Sequence, residues 1–102
     1  MKKTKKYEDF LNKSLQDPKE AAAYLNVHLE DPGKDKDELF LLALRDVAKA
    51  YGFSTLAEKA NLGRESLYKA LSENGNPKLI TLLSLLNAMG LKLFIEVNKK
   101  AS

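Results

Sequence analysis

The chain has 102 residues and no cysteine, so it is long enough for one domain and lacks the thiols for a disulfide or a thiolate metal site. With 44% apolar and 30% charged residues, its composition is that of an ordinary globular protein and not of a disordered one. Polar residues interrupt the most apolar window, Leu79 to Val97, which excludes a membrane span, and we expect a cytoplasmic protein.

Charge is distributed unevenly along the chain, whose net charge is +3. The first six residues carry four lysines, residues 7–38 carry nine acidic residues against four lysines, and residues 39–102 carry nine basic residues against five acidic ones. An acidic first third and a basic remainder are consistent with two different partners. Ordinary solvated helix faces would produce the same pattern and remain the alternative.

The N-terminal half is predicted to be helical. The chain divides into a flexible basic arm at 1–6, a single domain at 7–97 and a tail at 98–102. Tyr7, Phe10 and Leu11 recur at helical spacing and predict a short first helix. Asp17 followed by Pro18 is a typical start for a second helix. A third helix is expected to begin near Asp35 or Asp37 and to end at Gly52.

Two short helices joined by a tight turn are expected between residues 54 and 72. Ser54 or Thr55 would cap the first, Asn61 would adopt the left-handed conformation of a helix end, and Gly63 would cap the second helix, residues 64–72. Apolar positions on both helices can pack together, with Leu62 pointing inward, which leaves an outward face of Arg64, Glu65, Tyr68, Lys69 and Ser72. A DNA recognition helix has this layout, and a structural helix pair with a solvated face is the alternative.

The C-terminal third is predicted to contain a helix and a strand. Asn76 as cap and Pro77 in the first turn start a helix that is apolar on nearly every side, so we expect protein to surround it. After Gly90, apolar and other residues alternate with the period of a half-buried strand at 91–97. Because no other segment offers a partner strand, the same strand of a second copy would pair with it through Leu91, Leu93, Phe94, Ile95 and Val97.

The stretch "TLAEKANLGRESLYKALSENGNP" resembles the helix-turn-helix of the lambda-repressor/Cro superfamily. Together with "DPKEAAAYLNVHLE" and "LFLLALRDVAKAYG", it is similar to the addiction-module antidote family of HigA-like antitoxins, from about Tyr7 to Val97. The resemblance implies base contacts from Gly63, Arg64, Glu65 and Lys69 and phosphate contacts from Ser54, Thr55, Ser66, Tyr68, Asn76 and Lys78. Gly63 departs from the usual Ser or Thr, which removes one side-chain contact to phosphate.

The resemblance implies an all-α, lambda-repressor-like helix-turn-helix domain with extra N-terminal helices and a short C-terminal β-strand. Its function would be that of a homodimeric DNA-binding antitoxin that represses its own operon and neutralises a ribonuclease toxin similar to RelE or HigB. The expected partners are therefore double-stranded operator DNA and the cognate toxin. An acidic surface could complement a basic toxin, and it would include Glu8, Asp9, Asp17, Glu20, Glu30 and Asp31.

Other functions are weighed against this one. The chain shows no pairing of a nucleophile with a base and no phosphate-binding loop, so neither an enzyme nor a cofactor is expected. His28 has no cysteine or second histidine near it, so no metal site is predicted. Two alternatives remain open: a stand-alone, phage-like transcriptional repressor, and a protein-interaction module that has lost DNA binding.

Overall fold

A computed structural model describes residues 4–30, 33 and 35–99. Within these residues the chain forms six α-helices and no strand. The helices are α1 (Lys5–Ser14), α2 (Pro18–Glu30), α3 (Lys36–Tyr51), α4 (Phe53–Lys59), α5 (Arg64–Ala70) and α6 (Leu79–Ala88). The predicted all-α class is therefore confirmed, and no helix in the described part of the chain is long and apolar enough to cross a membrane.

The N-terminal helices begin at residues whose side chains accept hydrogen bonds from the first turn. The Tyr7 backbone N–H donates to Thr4 Oγ1 at 3.0 Å, and the Lys19 N–H donates to Asp17 Oδ1 at 3.0 Å. Because Thr4 caps α1, the helix includes Lys5 and Lys6, which the sequence placed in a flexible arm. Residues 1–3 of that arm, Asp31 of the acidic set and residues 100–102 of the tail lie outside the described residues.

Helix α3 is the centre of the fold, because α1, α2 and α4 all pack against it. The largest fully buried side chains come from four successive helices: Leu44, Leu56, Leu67 and Leu85 are each 0% exposed. Burying a leucine side chain stabilises the folded state by about 1.5–3 kcal/mol, so this leucine cluster fixes how α3, α4, α5 and α6 pack.

Helix α6 differs from the sequence prediction in two respects. It begins at Leu79 after Lys78, so Asn76 and Pro77 lie in the preceding loop and do not start the helix. Only its second half is enclosed: Leu85 and Leu86 are buried, whereas Leu79 and Ile80 are 63% and 79% exposed. The expectation that protein surrounds the whole helix is wrong, because the first turn extends past the core.

The predicted strand at 91–97 is also absent from the chain that the structure describes. The Leu91 N–H donates to the Leu86 carbonyl oxygen at 2.8 Å and closes the end of α6, after which residues 92–97 form neither a helix nor a strand. A strand needs a neighbour for its backbone groups, and the six helices of a single chain provide none. Phe94, Ile95 and Val97 are consequently 74%, 88% and 83% exposed.

A partly buried side-chain hydrogen bond joins α2 to α3. The Tyr24 hydroxyl donates to Asp46 Oδ2 at 2.8 Å, and the Tyr24 ring meets the His28 ring edge-on at 4.8 Å between centroids. Partial burial, followed by the adjacent Asp46 carboxylate, raises the pKa of Tyr24 above its ordinary value. This contact therefore favours the protonated phenol in the folded state.

Replacing Tyr24 with Phe is expected to lower the free energy of unfolding by about 1 kcal/mol, because it removes a half-buried hydrogen bond to a carboxylate. Since the pKa is higher in the folded chain, this contribution is fully present below the unfolded pKa of about 10 and declines as pH rises above it. Urea unfolding of both proteins from pH 7 to 11 measures the difference. A gap that widens above pH 10 would contradict the assignment.

Candidate nucleic-acid interface

Helix α4 and the turn after it hold α5 in a fixed orientation. Helix α4 begins after Gly52, whose φ of 108° is rarely adopted by residues other than glycine. Ser54 and Thr55 therefore lie inside the helix, and the prediction that one of them caps it is wrong. At its end, Asn61 has a φ of 56°, as the sequence suggested. The Leu62 N–H donates to the Ala57 carbonyl at 2.8 Å, and the Asn61 N–H donates to the Glu58 carbonyl at 3.2 Å. These bonds form a Schellman motif that sharply ends α4.

The inner face of α5 is anchored in the core. Leu67 is 0% exposed, and Leu71, which follows the helix directly, is 2% exposed. They belong to the same apolar cluster as Leu56 and Ala57 of α4, and half-buried Leu62 packs against that cluster at the corner. The predicted packing between the two helices is confirmed, and it fixes which side of α5 faces outward.

Every residue predicted to contact DNA is exposed, on α4, on α5 or in the two loops that flank α5. All of the predicted base-contacting and phosphate-contacting residues are exposed: Ser54, Thr55, Gly63, Arg64, Glu65, Ser66, Tyr68, Lys69, Asn76 and Lys78. Arg64 and Glu65 lie in the first turn of α5, and Lys69 lies in its last turn. A groove of about 530 Å³ between α5 and the loop 72–78 brings Ser66, Lys69 and Asn76 together. Helix α5 therefore carries exposed hydrogen-bond donors of both the guanidinium and the ammonium type.

Tyr68 is held by an aromatic contact that sequence reasoning missed. Its ring lies 4.8 Å from the ring of Phe53 between centroids, with the planes tilted by 42°. The Tyr68 side chain is nevertheless 46% exposed. Packing and exposure therefore coexist: Phe53 orients the ring, and the ring remains accessible from outside. Phe53 is the first residue of α4, and no local pattern links it to a tyrosine on the next helix.

A second unexpected contact involves Lys59, the last residue of α4. Its Nζ donates to the Tyr51 hydroxyl at 2.8 Å, and that hydroxyl donates to the Ala88 carbonyl oxygen at 3.1 Å. Lys59 Nζ also lies 5.4 Å from the centre of the Tyr51 ring, within cation–π range. This chain of contacts joins α3, α4 and α6, so the basic side chain of Lys59 has a structural partner.

The loop after α5 folds tightly against the C-terminal end of that helix. Ser72 Oγ donates to the Lys69 carbonyl at 2.8 Å, and the Gly75 N–H donates to the Ser72 carbonyl at 2.8 Å. A Cβ at Gly75 would lie 2.7 Å from the Ala70 carbonyl carbon and 2.8 Å from the Lys69 carbonyl oxygen. The backbone therefore approaches α5 so closely that only glycine fits, and this approach positions Asn76 beside the outer face.

Comparison with known proteins identifies the family. A family model described as "Probable addiction module antidote protein" matches residues 4–97. The chain belongs to this antidote family. A protein of Haemophilus influenzae (strain ATCC 51907 / DSM 11121 / KW20 / Rd), described as "Uncharacterized protein", is 36% identical over 99 residues, which cover 96% of this chain and 99% of the relative. No solved structure matches the chain. Membership confirms the antidote resemblance and implies a cognate toxin as partner.

The acidic residues considered for a partner of this antidote lie on its N-terminal helices. Glu8 and Asp9 are exposed on α1, and Glu20 and Glu30 are exposed on α2, with exposed Asp17 between the helices. Exposed lysines alternate with them, namely Lys5, Lys6, Lys13 and Lys19. The surface is therefore mixed in charge. Large apolar side chains also lie on it, since Phe10 is 71% exposed and Tyr7 is 48% exposed.

Proposed function

We propose that the chain is a DNA-binding antitoxin of HigA type, with a lambda-repressor-like helix-turn-helix formed by α4, the turn and α5. The observation that supports this most directly is the division of α5 into two faces. Leu67 is 0% exposed on one face, and the exposed Arg64, Glu65 and Lys69 lie on the helix outside the core. The proposed role is binding and not catalysis, in keeping with the antidote family.

The proposed contact places α5 in the major groove. An α-helix with its side chains is about 10–12 Å in diameter, which fits a major groove about 12 Å wide. Arg64 would donate two hydrogen bonds to a guanine, and Glu65 would accept from a cytosine or orient Arg64. Gly63 allows the backbone to approach the bases, and Lys69 contacts them from the last turn. The hydroxyl and amide groups of Ser54, Thr55, Ser66, Tyr68 and Asn76, with the Lys78 ammonium, would bind phosphates on both sides.

A homodimer would carry out the repression of the antitoxin's own operon. Two copies related by a two-fold axis present two α5 helices to half-sites about 34–36 Å apart. One seven-residue helix reads few base pairs, so the second copy supplies the remaining specificity.

The second proposed partner is a ribonuclease toxin similar to RelE or HigB. Helices α1 and α2 pack on α3 and are not part of the α4–α5 pair that would contact DNA. Their surface combines exposed aromatic side chains such as Phe10 with charges of both signs, and aromatic residues are enriched where proteins bind each other. We propose that this surface binds the toxin and that apolar contact contributes more to it than acidity.

Two measurements test the proposed function. The full chain should retard a DNA fragment from immediately upstream of its own gene, and it should co-purify with the product of the adjacent gene and restore growth to cells expressing that product. DNA binding without a toxin would favour a stand-alone repressor. Toxin binding without DNA binding would favour an interaction module, and absence of both would contradict the proposal.

A further inference from the structure

An apolar groove lies beside the C-terminal segment. It has a volume of about 250 Å³, and its walls include Leu25 and Leu29 of α2, Phe40 of α3, Leu86 of α6, and Leu91 and Leu93 of the segment itself. Further along the same segment, Ile95 and Val97 are 88% and 83% exposed. One chain thus offers both an open apolar groove and uncovered apolar side chains a few residues further on, as a self-complementary two-fold interface requires.

The residues of the segment alternate in character. In an extended backbone, side chains at every second position share a face, so residues 91, 93, 95 and 97 would lie on one face and Lys92, Phe94 and Glu96 on the other. Leu91, Lys92 and Leu93 line the groove. Because residues 95 and 97 would share a face with residues 91 and 93 in an extended backbone, Ile95 and Val97 would continue the apolar side of that wall.

We infer that residues 91–97 of two copies pair antiparallel about a two-fold axis at Phe94 and that each copy closes the groove of the other. The inference rests on the homodimer of the proposed function and specifies its interface. In this register Leu93 lies opposite Ile95 of the second copy, and Leu91 lies opposite its Val97. Directly opposed residues share a face, so Ile95 and Val97 of the second copy cover the groove.

Charge complementarity identifies a second copy of this chain as the occupant. With Phe94 on the axis, Lys92 lies opposite Glu96 of the second copy, and the two-fold axis repeats this pair. Moving the axis to Ile95 would place Lys92 opposite Asn98 and Glu96 opposite Phe94, and both charge pairs would be lost. The register at Phe94 matches opposite charges on one face and aliphatic side chains on the other.

A charge exchange tests the register. Lys92→Glu and Glu96→Lys each place two like charges opposite each other, so each should raise the dimer dissociation constant about ten-fold. The double variant K92E/E96K restores opposite charges and should return the constant to the wild-type value. Sedimentation equilibrium of the full chain measures all four proteins. A double variant as weak as the single ones, or a wild-type chain that stays monomeric at several hundred micromolar, would overturn the inference.

Two matched substitutions on α2 test the groove. Leu29 lines it and is 41% exposed, whereas Val27, on the same helix, does not line it and is 65% exposed. Leu29→Asp should weaken the dimer at least 100-fold, and Val27→Asp should leave it unchanged, with circular dichroism as the check of folding. Ile95→Asp alters a side chain with almost no contacts in the single chain, so it should weaken the dimer without unfolding it. Equal effects of Leu29→Asp and Val27→Asp would count against the groove.

The inference and the proposed function fail separately. The proposed function alone is contradicted if the dimer dissociation constant changes as expected in the charge variants but the chain neither retards its upstream DNA nor binds the adjacent gene product. Only the interface at residues 91–97 is contradicted if the chain binds both partners but the charge variants dimerise like the wild type.

Discussion

Replacing Arg64 with Ala is expected to lower affinity for the operator by about 5- to 150-fold, which corresponds to about 1–3 kcal/mol. The residue opens α5 and its side chain is exposed, whereas Leu67, three residues further along the helix, is completely buried. A guanidinium that donates two hydrogen bonds to a guanine contributes to discrimination as well as to affinity. The variant should therefore also tolerate substitutions at the base pair that Arg64 contacts.

Arg45 provides a matched control for this experiment. It is the other arginine of the chain, it is also exposed, and it lies on α3, outside the α4–α5 pair. Arg45→Ala removes the same charge, so it should change binding only through the net charge, by a small factor that vanishes at higher salt. Gel retardation of the operator and of single-base variants, at two salt concentrations, separates the two substitutions. Equal losses for both variants would remove Arg64 from the base-reading role.

Much of the helical framework could be predicted from local sequence. Asp17 before Pro18, Asp35 before α3 and Asn61 after α4 all stand where the structure places helix ends. Such signals can be read because capping depends on residues within three or four positions. The exposed face of α5 was also predictable, since Leu67 and Leu71 at four-residue spacing fix its buried side.

Other features depend on residues far apart in the chain, and sequence patterns do not reveal them. The Phe53–Tyr68 contact joins two helices, and the Tyr51 hydroxyl reaches the end of α6. The predicted strand at 91–97 is not seen in the single chain, and its pairing with a second copy stays a prediction, because backbone pairing is a property of two segments. The exposure of Ile80 could not be predicted for a similar reason. An apolar residue type indicates that burial is favourable, but it does not identify the segment that would cover the side chain.

Gly75→Ala is expected to destabilise the protein by about 2–3 kcal/mol and to lower its melting temperature by about 10–20 °C. The added methyl carbon would lie 2.7 Å from the Ala70 carbonyl carbon and 2.8 Å from the Lys69 carbonyl oxygen, and nearer still to the Ala70 oxygen. These atoms are backbone at the end of α5, so no side-chain rotation relieves the overlap. The loop must move away from the helix, which breaks the 2.8 Å bond from the Gly75 N–H to the Ser72 carbonyl.

Gly63→Ala is the corresponding control, because both glycines flank α5 and only Gly75 lacks room for a Cβ. A Cβ at Gly63 would meet no atom nearer than Ser66 Oγ at 3.9 Å, and the φ of −68° suits any residue. Alanine loses less conformational entropy on folding than glycine but is a poorer N-cap, so the two effects offset to within about 0.5 kcal/mol. Thermal unfolding followed by circular dichroism compares the variants. Equal melting temperatures for Gly75→Ala and Gly63→Ala would mean that the loop at residues 72–78 does not lie against α5.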